Sequence, residues 1–263
     1  MNPDWKARYD AAVTAAEQAG QLALRYFDAE LKVEWKEDDS PVTVADREAE
    51  SLLRTTLLGR FPKDGFLGEE HGDKPGTSGF RWIIDPIDGT RNFVRGIPIW
   101  GTLVGLEHKG ETIAGIVQLP AMKQSFRALR GDGAWRGERR LQVSKLGTLS
   151  QATLFYTTLA CFSPPAHQAA FLDLSKRVQG LRGFGDVYGY MLVAQGSGEA
   201  MVEHGVHIWD VAAVKPIIEE AGGRYSDWDG KPNINRPDSV ASNGLLHEEI
   251  LRVMRGSDKP PVK

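Results

Sequence analysis

Two aspartates, Asp85 and Asp88, follow a short apolar run in the first third of the chain. Residues 82–84 predict a buried strand, and the two acids come directly after it, with a proline between them and Gly89 behind them. Carboxylates this close repel each other, and a divalent cation relieves that repulsion. Gly89 lets the backbone come close to a ligand, and the amides that follow can hold a phosphate if a helix starts there. The stretch predicts a Mg²⁺-binding loop for a phosphate ester; the alternative is that both aspartates only form turns.

Other acids lie where elements begin or end. Glu69 follows a predicted strand and Asp210 opens a predicted helix, and carboxylate oxygens are the hard ligands that Mg²⁺ requires. Two Mg²⁺ ions about 3.5–4 Å apart would activate an attacking water and stabilise the leaving oxygen, which is the assistance that slow phosphate-ester hydrolysis needs. Each acid also has a purely structural interpretation. Asp46 and Asp210 could cap helices, since Thr43-x-x-Asp46 matches a capping pattern, and Glu69 could belong to a solvated turn.

The composition is that of an ordinary globular protein and narrows the choice of partner. The chain has 263 residues, a formal net charge of −3 and 41% hydrophobic residues, so nothing favours a nucleic-acid backbone as ligand. The single cysteine, Cys161, excludes an internal disulfide framework and a cysteine-rich zinc site. We see neither a secretory signal nor an apolar run of membrane-spanning length. We therefore expect a cytoplasmic protein with a small-molecule substrate and no membrane or nucleic-acid partner.

Periodicity divides the chain into two parts. A long amphipathic helix over residues 5–27 and a second with apolar residues at 49–57 precede strands at 66–68, 103–106, 112–119, 125–129 and 141–143, which suggest an antiparallel meander with a polar loop at 73–79. Strands at 153–157, 182–184, 200–203 and 240–242 then alternate with helices at 166–178, 188–194 and 207–220, and a last helix follows residue 245. Pro216 should kink or shorten the helix that contains it. We expect a part at 1–145 with most metal ligands, and a part at 146–263 with Asp210 and the substrate-side residues.

Three motifs together resemble the inositol monophosphatase superfamily. They are G-E-E at 68–70, W-I-I-D-P-I-D-G-T-R-N-F at 82–93, and W-D-V-A-A with E-A-G-G within 209–223. Their order and spacing also match, and the likeness runs from about Lys36 to Gly223. The resemblance implies an α/β (α+β) fold, a layered αβαβα sandwich of the Mg²⁺-dependent sugar phosphatase type. It also implies a homodimer.

The resemblance also implies a ligand set. Glu69, Asp85 and the carbonyl of Ile87 would hold a first Mg²⁺, and Asp85, Asp88 and Asp210 a second. Thr90 and Glu69 would orient and deprotonate the attacking water. Asp46 would support Thr90 or hold a weak third metal ion, giving two or three Mg²⁺ per site. Lys36 falls at the position where the family has a lysine near the catalytic site, and would take part in catalysis.

The resemblance assigns further residues to the substrate. Asp88, Gly89 and Thr90 would bind the phosphate, and Glu203 would contact the alcohol half. G-x-P-x-x-G-T-L at 96–103 resembles the histidinol-phosphate phosphatase branch. Asp186 would add a second acid opposite the organic half, which suits a substrate that carries an ammonium group and an imidazole. The alternative is that Asp186 caps the helix that follows it.

The sequence therefore predicts Mg²⁺-dependent hydrolysis of L-histidinol phosphate to L-histidinol and phosphate by two-metal water attack. An inositol-1-monophosphatase or broad sugar-phosphate phosphatase is the second interpretation. A 3′,5′-bisphosphate nucleotidase would need basic residues for a second phosphate, and only Arg177 and Arg182 hint at them. A non-catalytic binding protein on the same fold would be expected to have lost one of the acids or Thr90, and neither loss is seen.

Overall fold

The computed structural model describes residues 2–27, 33–35 and 41–256. Its helices are α1 (Pro3–Leu24), α2 (Val44–Arg60), α3 (Thr90–Phe93), α4 (Pro165–Arg177), α5 (Asp186–Ala194), α6 (Ile208–Ala212), α7 (Val214–Glu220) and α8 (His247–Met254). Its strands are β1 (Glu34–Trp35), β2 (Pro41–Val42), β3 (Gly65–Gly68), β4 (Gly72–Lys74), β5 (Phe80–Asp88), β6 (Gly101–His108), β7 (Glu111–Leu119), β8 (Gln124–Leu129), β9 (Gly133–Arg136), β10 (Arg139–Arg140), β11 (Thr153–Phe155), β12 (Gly180–Arg182), β13 (Ala200–His204), β14 (Arg224–Ser226) and β15 (Asp238–Ser242). Lys36, expected near the site, lies outside the described residues.

The first two helices have the signals that start helices. The Asn2 side chain accepts a hydrogen bond from the Asp4 N–H at 2.9 Å, and Pro3 occupies the first position of α1. Thr43 caps α2, and the Asp46 carboxylate accepts a hydrogen bond from the Thr43 N–H in turn. Alanines along one face of α1 are fully buried, because small side chains let the helix lie close to the sheet below it.

An eight-stranded sheet carries the first half of the chain. Its strand order is β10-β9-β8-β7-β6-β5-β3-β4, and β3 pairs with β5 in parallel while the other neighbours are antiparallel. Successive side chains of β5 point to opposite faces. Trp82 and Ile84 pack on the side of α1 and α2, whereas Ile83 belongs to the apolar core that contains α5, α6 and α7. The predicted meander is confirmed over β6, β7 and β8.

A five-stranded sheet of order β12-β11-β13-β15-β14 carries the second half. β11 is parallel to β12 and β13, and β15 is antiparallel to β13 and β14. Helices α5, α6 and α7 lie between the two sheets in one apolar core, and α4 and α8 cover the outer face of the smaller sheet. The order of layers is helices, sheet, helices, sheet, helices, so the predicted αβαβα sandwich is confirmed.

Some local predictions are wrong in position or kind. No strand forms at 141–143: the Leu141 and Val143 N–H groups bond to Ala134 and Ala221 rather than to one ladder. The start of the predicted loop at 73–79 belongs to β4, and the strand predicted at 182–184 ends at Arg182. The helix predicted at 207–220 is divided into α6 and α7. Pro216 has no N–H to bond to the carbonyl four residues earlier, so the expected interruption is confirmed.

The change of sheet falls between Arg140 and Thr153. The division at residue 145 into two parts stays a prediction, since the core between the sheets takes residues from both of them. Among the described helices, none combines the length and the apolar character needed to cross a membrane.

Candidate active site

The carboxyl end of β5 is bent by a bulge that turns both aspartates toward one cavity. Asp85 pairs with Leu103 and Asp88 with Gly101, so β5 has one residue more than β6 in this interval. Such an insertion redirects side chains at the end of a strand. The Thr102 hydroxyl donates to the Pro86 carbonyl at 2.8 Å and holds the bulge in place.

Asp210 joins the two β5 aspartates from the second half of the chain. One carboxylate oxygen from each of Asp85, Asp88 and Asp210 lies within 4.8 Å of the others. Asp85 and Asp88 are buried, and Asp210, in the first turn of α6, is half-buried. Among the described residues, this is the cluster of acids and histidines compact enough to hold a metal ion.

Backbone N–H groups fix the orientation of each carboxylate. Asp85 Oδ1 accepts from the Ile87 N–H at 3.0 Å, and Asp88 Oδ2 accepts from the Val187 N–H at 2.6 Å. Asp210 Oδ2 accepts from the His207 N–H at 2.7 Å, which completes a capping box. The capping alternative for Asp210 is therefore correct for one of its oxygens. It does not exclude a site role, since the same side chain belongs to the cluster.

The electrostatics of the cluster are unfavourable without a counter-charge. Burial, followed by the charges of Glu69 and Asp88, raises the pKa of Asp85 well above its usual value. Burial and the charges of Asp186 and Asp210 do the same to the pKa of Asp88. Burial also raises the pKa of Asp210 to about 7. A set of oxygen ligands whose mutual repulsion is this strong fits a hard divalent cation, because the cation reverses the sign of the interaction.

Glu69 and Thr90 line the same cavity. The Glu69 N–H donates to the Ile84 carbonyl at 3.3 Å, which places Glu69 beside the end of β5. Thr90 Oγ1 lies 2.9 Å from the Ile87 carbonyl oxygen and 3.4 Å from Asp46 Oδ1, and its single proton can be donated to either.

Asp46 serves two elements at once. Its Oδ2 accepts from the Thr43 N–H at 2.8 Å and from the Thr43 hydroxyl at 2.6 Å, while Oδ1 faces Thr90. Burial raises the pKa of Asp46 to about 6. The capping alternative is therefore correct for one oxygen, and the other oxygen makes the contact with Thr90 that the resemblance implies.

Gly89 joins β5 to α3 in a conformation that other residues rarely adopt. Its φ is 82°, in the left-handed region, and a Cβ there would lie 3.1 Å from both Asp186 Oδ2 and the Ile99 carbonyl. The turn therefore needs glycine for both its backbone angle and its space. The first turn of α3 lines the cavity beside the acidic cluster.

Asp186, the first residue of α5, lines the cavity next to Gly89 and Asn92. No side-chain cap bond forms at this helix, whose N-cap is Gly185, so the capping alternative for Asp186 is wrong. Instead, Asp186 Oδ2 accepts from Asn92 Nδ2 at 2.9 Å. Burial raises the pKa of the Asp186 carboxyl to about 6, with Arg91 acting in the opposite direction. Its φ of 52° is an uncommon, strained value for a residue other than glycine.

Glu203 lies behind the cavity wall rather than on it. It is buried near the end of β13 and accepts a short hydrogen bond from the Thr157 hydroxyl, which in turn accepts from the Asp186 N–H at 2.9 Å. Burial raises the pKa of Glu203 to about 8. Thr157 and Cys161 line the cavity, whereas Glu203 does not. Direct contact between Glu203 and a substrate stays a prediction.

Apart from Asp46 and Glu203, the acidic residues described above line one cavity of about 1140 Å³, together with Gly89 and Thr90. Its walls also include residues that the sequence does not mark as catalytic or as metal ligands: Arg91, Asn92, Thr157, Cys161, His204, His207 and Trp209. Arg91 and Asn92 stand inside the motif at 82–93 and could have been found there. Thr157 follows β11, whose parallel pairing with β13 brings it to Glu203, and local periodicity does not reveal that pairing. The two histidines lack a metal-ligand spacing in the sequence.

Comparison with known proteins shows a close likeness over nearly the whole chain. The family model described as inositol monophosphatase family matches residues 4–259. A histidinol-phosphatase of Chlorobaculum parvum is 43% identical over 98% of this chain and 99% of its own. A histidinol-phosphatase of Mycobacterium tuberculosis is 40% identical over 91% of this chain and 95% of its own. An inositol-1-monophosphatase of Mesorhizobium japonicum is 34% identical over 95% of this chain and 96% of its own. The solved structure of extragenic suppressor protein suhB from Bartonella henselae has a TM-score of 0.87 at 31% identity, covering 94% of this chain and 97% of that one.

Proposed function

The chain belongs to the inositol monophosphatase family and is a phosphoric monoester hydrolase, and we propose that it hydrolyses L-histidinol phosphate to L-histidinol and phosphate with Mg²⁺. The observation that carries the choice of substrate is the Asp186 carboxyl, which lines the cavity beside Gly89 and Asn92. A carboxylate there favours an organic half that carries an ammonium group, and a neutral polyol gains less from it. Relatives described as histidinol-phosphatases support the same choice.

The cation would be held by the acids at the end of β5 and the start of α6. Asp85, Asp88 and Asp210 would be its central ligands, and Glu69 and the Ile87 carbonyl would complete a second position beside them. When bound, Mg²⁺ supplies positive charge against the phosphate oxygens and makes water a better nucleophile. Two ions per site, or three if Asp46 takes part, is our proposal for the count.

The protein's own groups bind the phosphate and orient the water. The N–H groups of Gly89 and Thr90, at the start of α3, would hold phosphate oxygens beside Asp88. Thr90 Oγ1 would accept a hydrogen bond from the attacking water while donating its own proton to Asp46 Oδ1 or the Ile87 carbonyl. Glu69 would take the proton that the water releases. These groups come from α2, β5, the start of α3 and the turn after β3, whose packing fixes their relative positions.

An inositol phosphate is the second candidate substrate. The hydroxyl-bearing residues Thr157 and Thr158 line the same cavity and suit a polyol. A relative described as an inositol-1-monophosphatase is consistent with this alternative. A homodimer and a cytoplasmic location also remain part of the proposal.

The test is phosphate release by the purified protein with Mg²⁺, comparing L-histidinol phosphate with myo-inositol 1-phosphate. We expect kcat/KM to favour L-histidinol phosphate by about 100-fold, or about 2.7 kcal/mol of transition-state discrimination. Chelation with EDTA should abolish both activities, and added Mg²⁺ should restore them. Equal rates, or a preference for the inositol ester, would reject L-histidinol phosphate and keep the metal chemistry. Full activity in EDTA would reject the metal.

A further inference from the structure

Glu50, one helical turn after Asp46 on α2, is fully buried although it is a charged residue. Its carboxylate points at the turn of residues 69–71, which joins β3 to β4. Glu50 Oε2 accepts from the Glu70 N–H at 2.8 Å, and Oε1 accepts from the His71 N–H at 2.9 Å. His71 Nδ1 lies 2.9 Å from Oε1 and donates to it in the tautomer that carries the proton on Nδ1. Three donors from one turn therefore converge on one side chain.

The sequence makes room for this carboxylate. A Cβ at Gly68 would lie 2.1 Å from Glu50 Oε1 and 2.3 Å from its carboxyl carbon, so any other residue at the end of β3 would displace this carboxylate from its present position. Gly68 pairs with Ile84 in β5 and with Gly72 in β4, which anchors both ends of the turn. The turn is thus fixed at its ends by the pairing of β3 with β4 and β5, and at Glu70 and His71 by hydrogen bonds to the Glu50 carboxylate.

Glu69 is the first residue of this turn and lines the cavity. Its neighbours on both sides are immobilised, by the ladder at Gly68 and by the Glu50 carboxylate at Glu70. A side chain whose backbone is fixed in this way loses little freedom when it binds a ligand. The burial of a carboxylate on three donors also means that loss of this group would leave the donors without an acceptor, which is costly in the interior.

We propose that Glu50 is a positioning residue: it fixes the 69–71 turn, and with it the Glu69 carboxylate, and so sets the affinity of the site for its divalent cation. The inference rests on the proposed function, in which Glu69 is a ligand. Two acids one turn apart on α2 then orient two different residues of the site: Asp46 contacts Thr90 directly, and Glu50 orients Glu69 through the backbone of the 69–71 turn. A residue that orients a ligand typically accounts for about 10- to 100-fold in metal affinity or activity.

The decisive variant is Glu50→Gln, which keeps the volume but places an amide group against the donors of the turn. Glu48→Gln is its matched control: the same change on the same helix, at an exposed residue bonded to Tyr26. We expect the dissociation constant for Mg²⁺, measured by calorimetry on the metal-free protein, to rise about 10- to 100-fold in Glu50→Gln and to stay unchanged in Glu48→Gln. A folded Glu50→Gln with a lower Tm but wild-type Mg²⁺ affinity would reduce Glu50 to a stabilising residue and overturn the proposal.

Hydrogen exchange gives a test that does not depend on the variant folding. In the wild-type protein, the Glu70 and His71 amides should exchange at least about 100-fold more slowly than unprotected peptide. Exchange at the rate of a free loop would overturn the proposal. Glu69→Gln tests the ligand role of Glu69 separately from the positioning role of Glu50. If Glu69→Gln also binds Mg²⁺ as the wild type does, the proposed ligand set is wrong; if it binds weakly while Glu50→Gln does not, only the positioning role fails.

Discussion

Asp186→Asn removes a negative charge from the cavity wall and leaves the rest of the wall in place. Asparagine is nearly the same size, and its side-chain oxygen can still accept from Asn92 Nδ2, which lies 2.9 Å from Asp186 Oδ2. The change therefore isolates the charge from the contact. At about pH 8 the wild-type carboxyl is ionised, since its pKa is raised only to about 6.

The size of the effect follows from the environment of Asp186. A hydrogen bond between charged groups contributes about 1.5–3 kcal/mol, and Asp186 is half-buried, so we expect about 2 kcal/mol for an ammonium group. That energy corresponds to about a 30-fold loss in kcat/KM for L-histidinol phosphate. Asp186 also raises the pKa of Asp88, so rates on every substrate can change. The quantity to compare is the ratio of kcat/KM for L-histidinol phosphate to that for a neutral ester.

The assay is phosphate release at saturating Mg²⁺ with L-histidinol phosphate and glycerol 2-phosphate. Asp229→Asn, an exposed change of the same charge outside the cavity, is the matched control. We expect the ratio to fall about 30-fold in Asp186→Asn and to stay constant in Asp229→Asn. An equal loss on both substrates would show that Asp186 only shapes the wall, and the charge-based choice of substrate would be refuted.

The remaining predictions concern buried charge. Asp88→Asn should lower kcat at least about 100-fold, because it removes the charge of a proposed metal ligand, while the asparagine oxygen can still accept from the Val187 N–H. In EDTA its Tm should exceed that of the wild type, because burial and the charges of Asp186 and Asp210 oppose ionisation at position 88; a lower Tm with retained activity would contradict both statements. His247→Gln should weaken the fall in the free energy of unfolding that accompanies a fall in pH below 7. Burial lowers the pKa of His247 to about 4 from 6.5, so the unfolded chain binds the extra proton as pH falls through this window. The stability advantage of the wild type over His247→Gln should shrink by about 2 kcal/mol between pH 7 and pH 4.5 in urea titrations, and a constant difference would contradict it.

The parts of the site that the sequence predicts are those carried by short segments. Residues 82–88 specify a buried strand, a proline and two acids within seven positions, and the structure places both acids at the end of that strand. The long first helix is likewise visible in its alanine face. In both cases the interactions that decide the structure lie within one or two turns or within one strand.

Pairings between distant segments explain what local patterns miss. Nothing near Gly65–Gly68 indicates that β3 runs parallel to β5 and continues into the 69–71 turn held by Glu50. Asp186 shows the same limit. Its position before a helical pattern left a cap open as the alternative to a substrate role, but the structure shows a bond from Asn92, which lies 94 residues earlier, and no cap bond.

The error at 141–143 has a different cause. Alternation of apolar and polar residues at Leu141-Gln142-Val143 is typical of a strand, but a strand also needs a neighbour with free hydrogen-bonding groups. The chain here passes from one sheet to the other, and its N–H groups bond singly to Ala134 and Ala221. An alternating pattern predicts which side chains are buried, but it does not show whether the backbone finds a neighbouring strand to pair with.

The bond from the Val187 N–H to Asp88 joins the two halves of the chain within the site itself. Asp85 and Asp88 belong to the larger sheet, whereas Asp210 and Val187 belong to the helices between the sheets. This bond can form only after Asp88 and Val187, 99 residues apart in the chain, have been brought together. Phosphatase activity would therefore return only when the sheets have docked on the shared helices, and the rate at which it returns would measure the docking step rather than the formation of helices and strands.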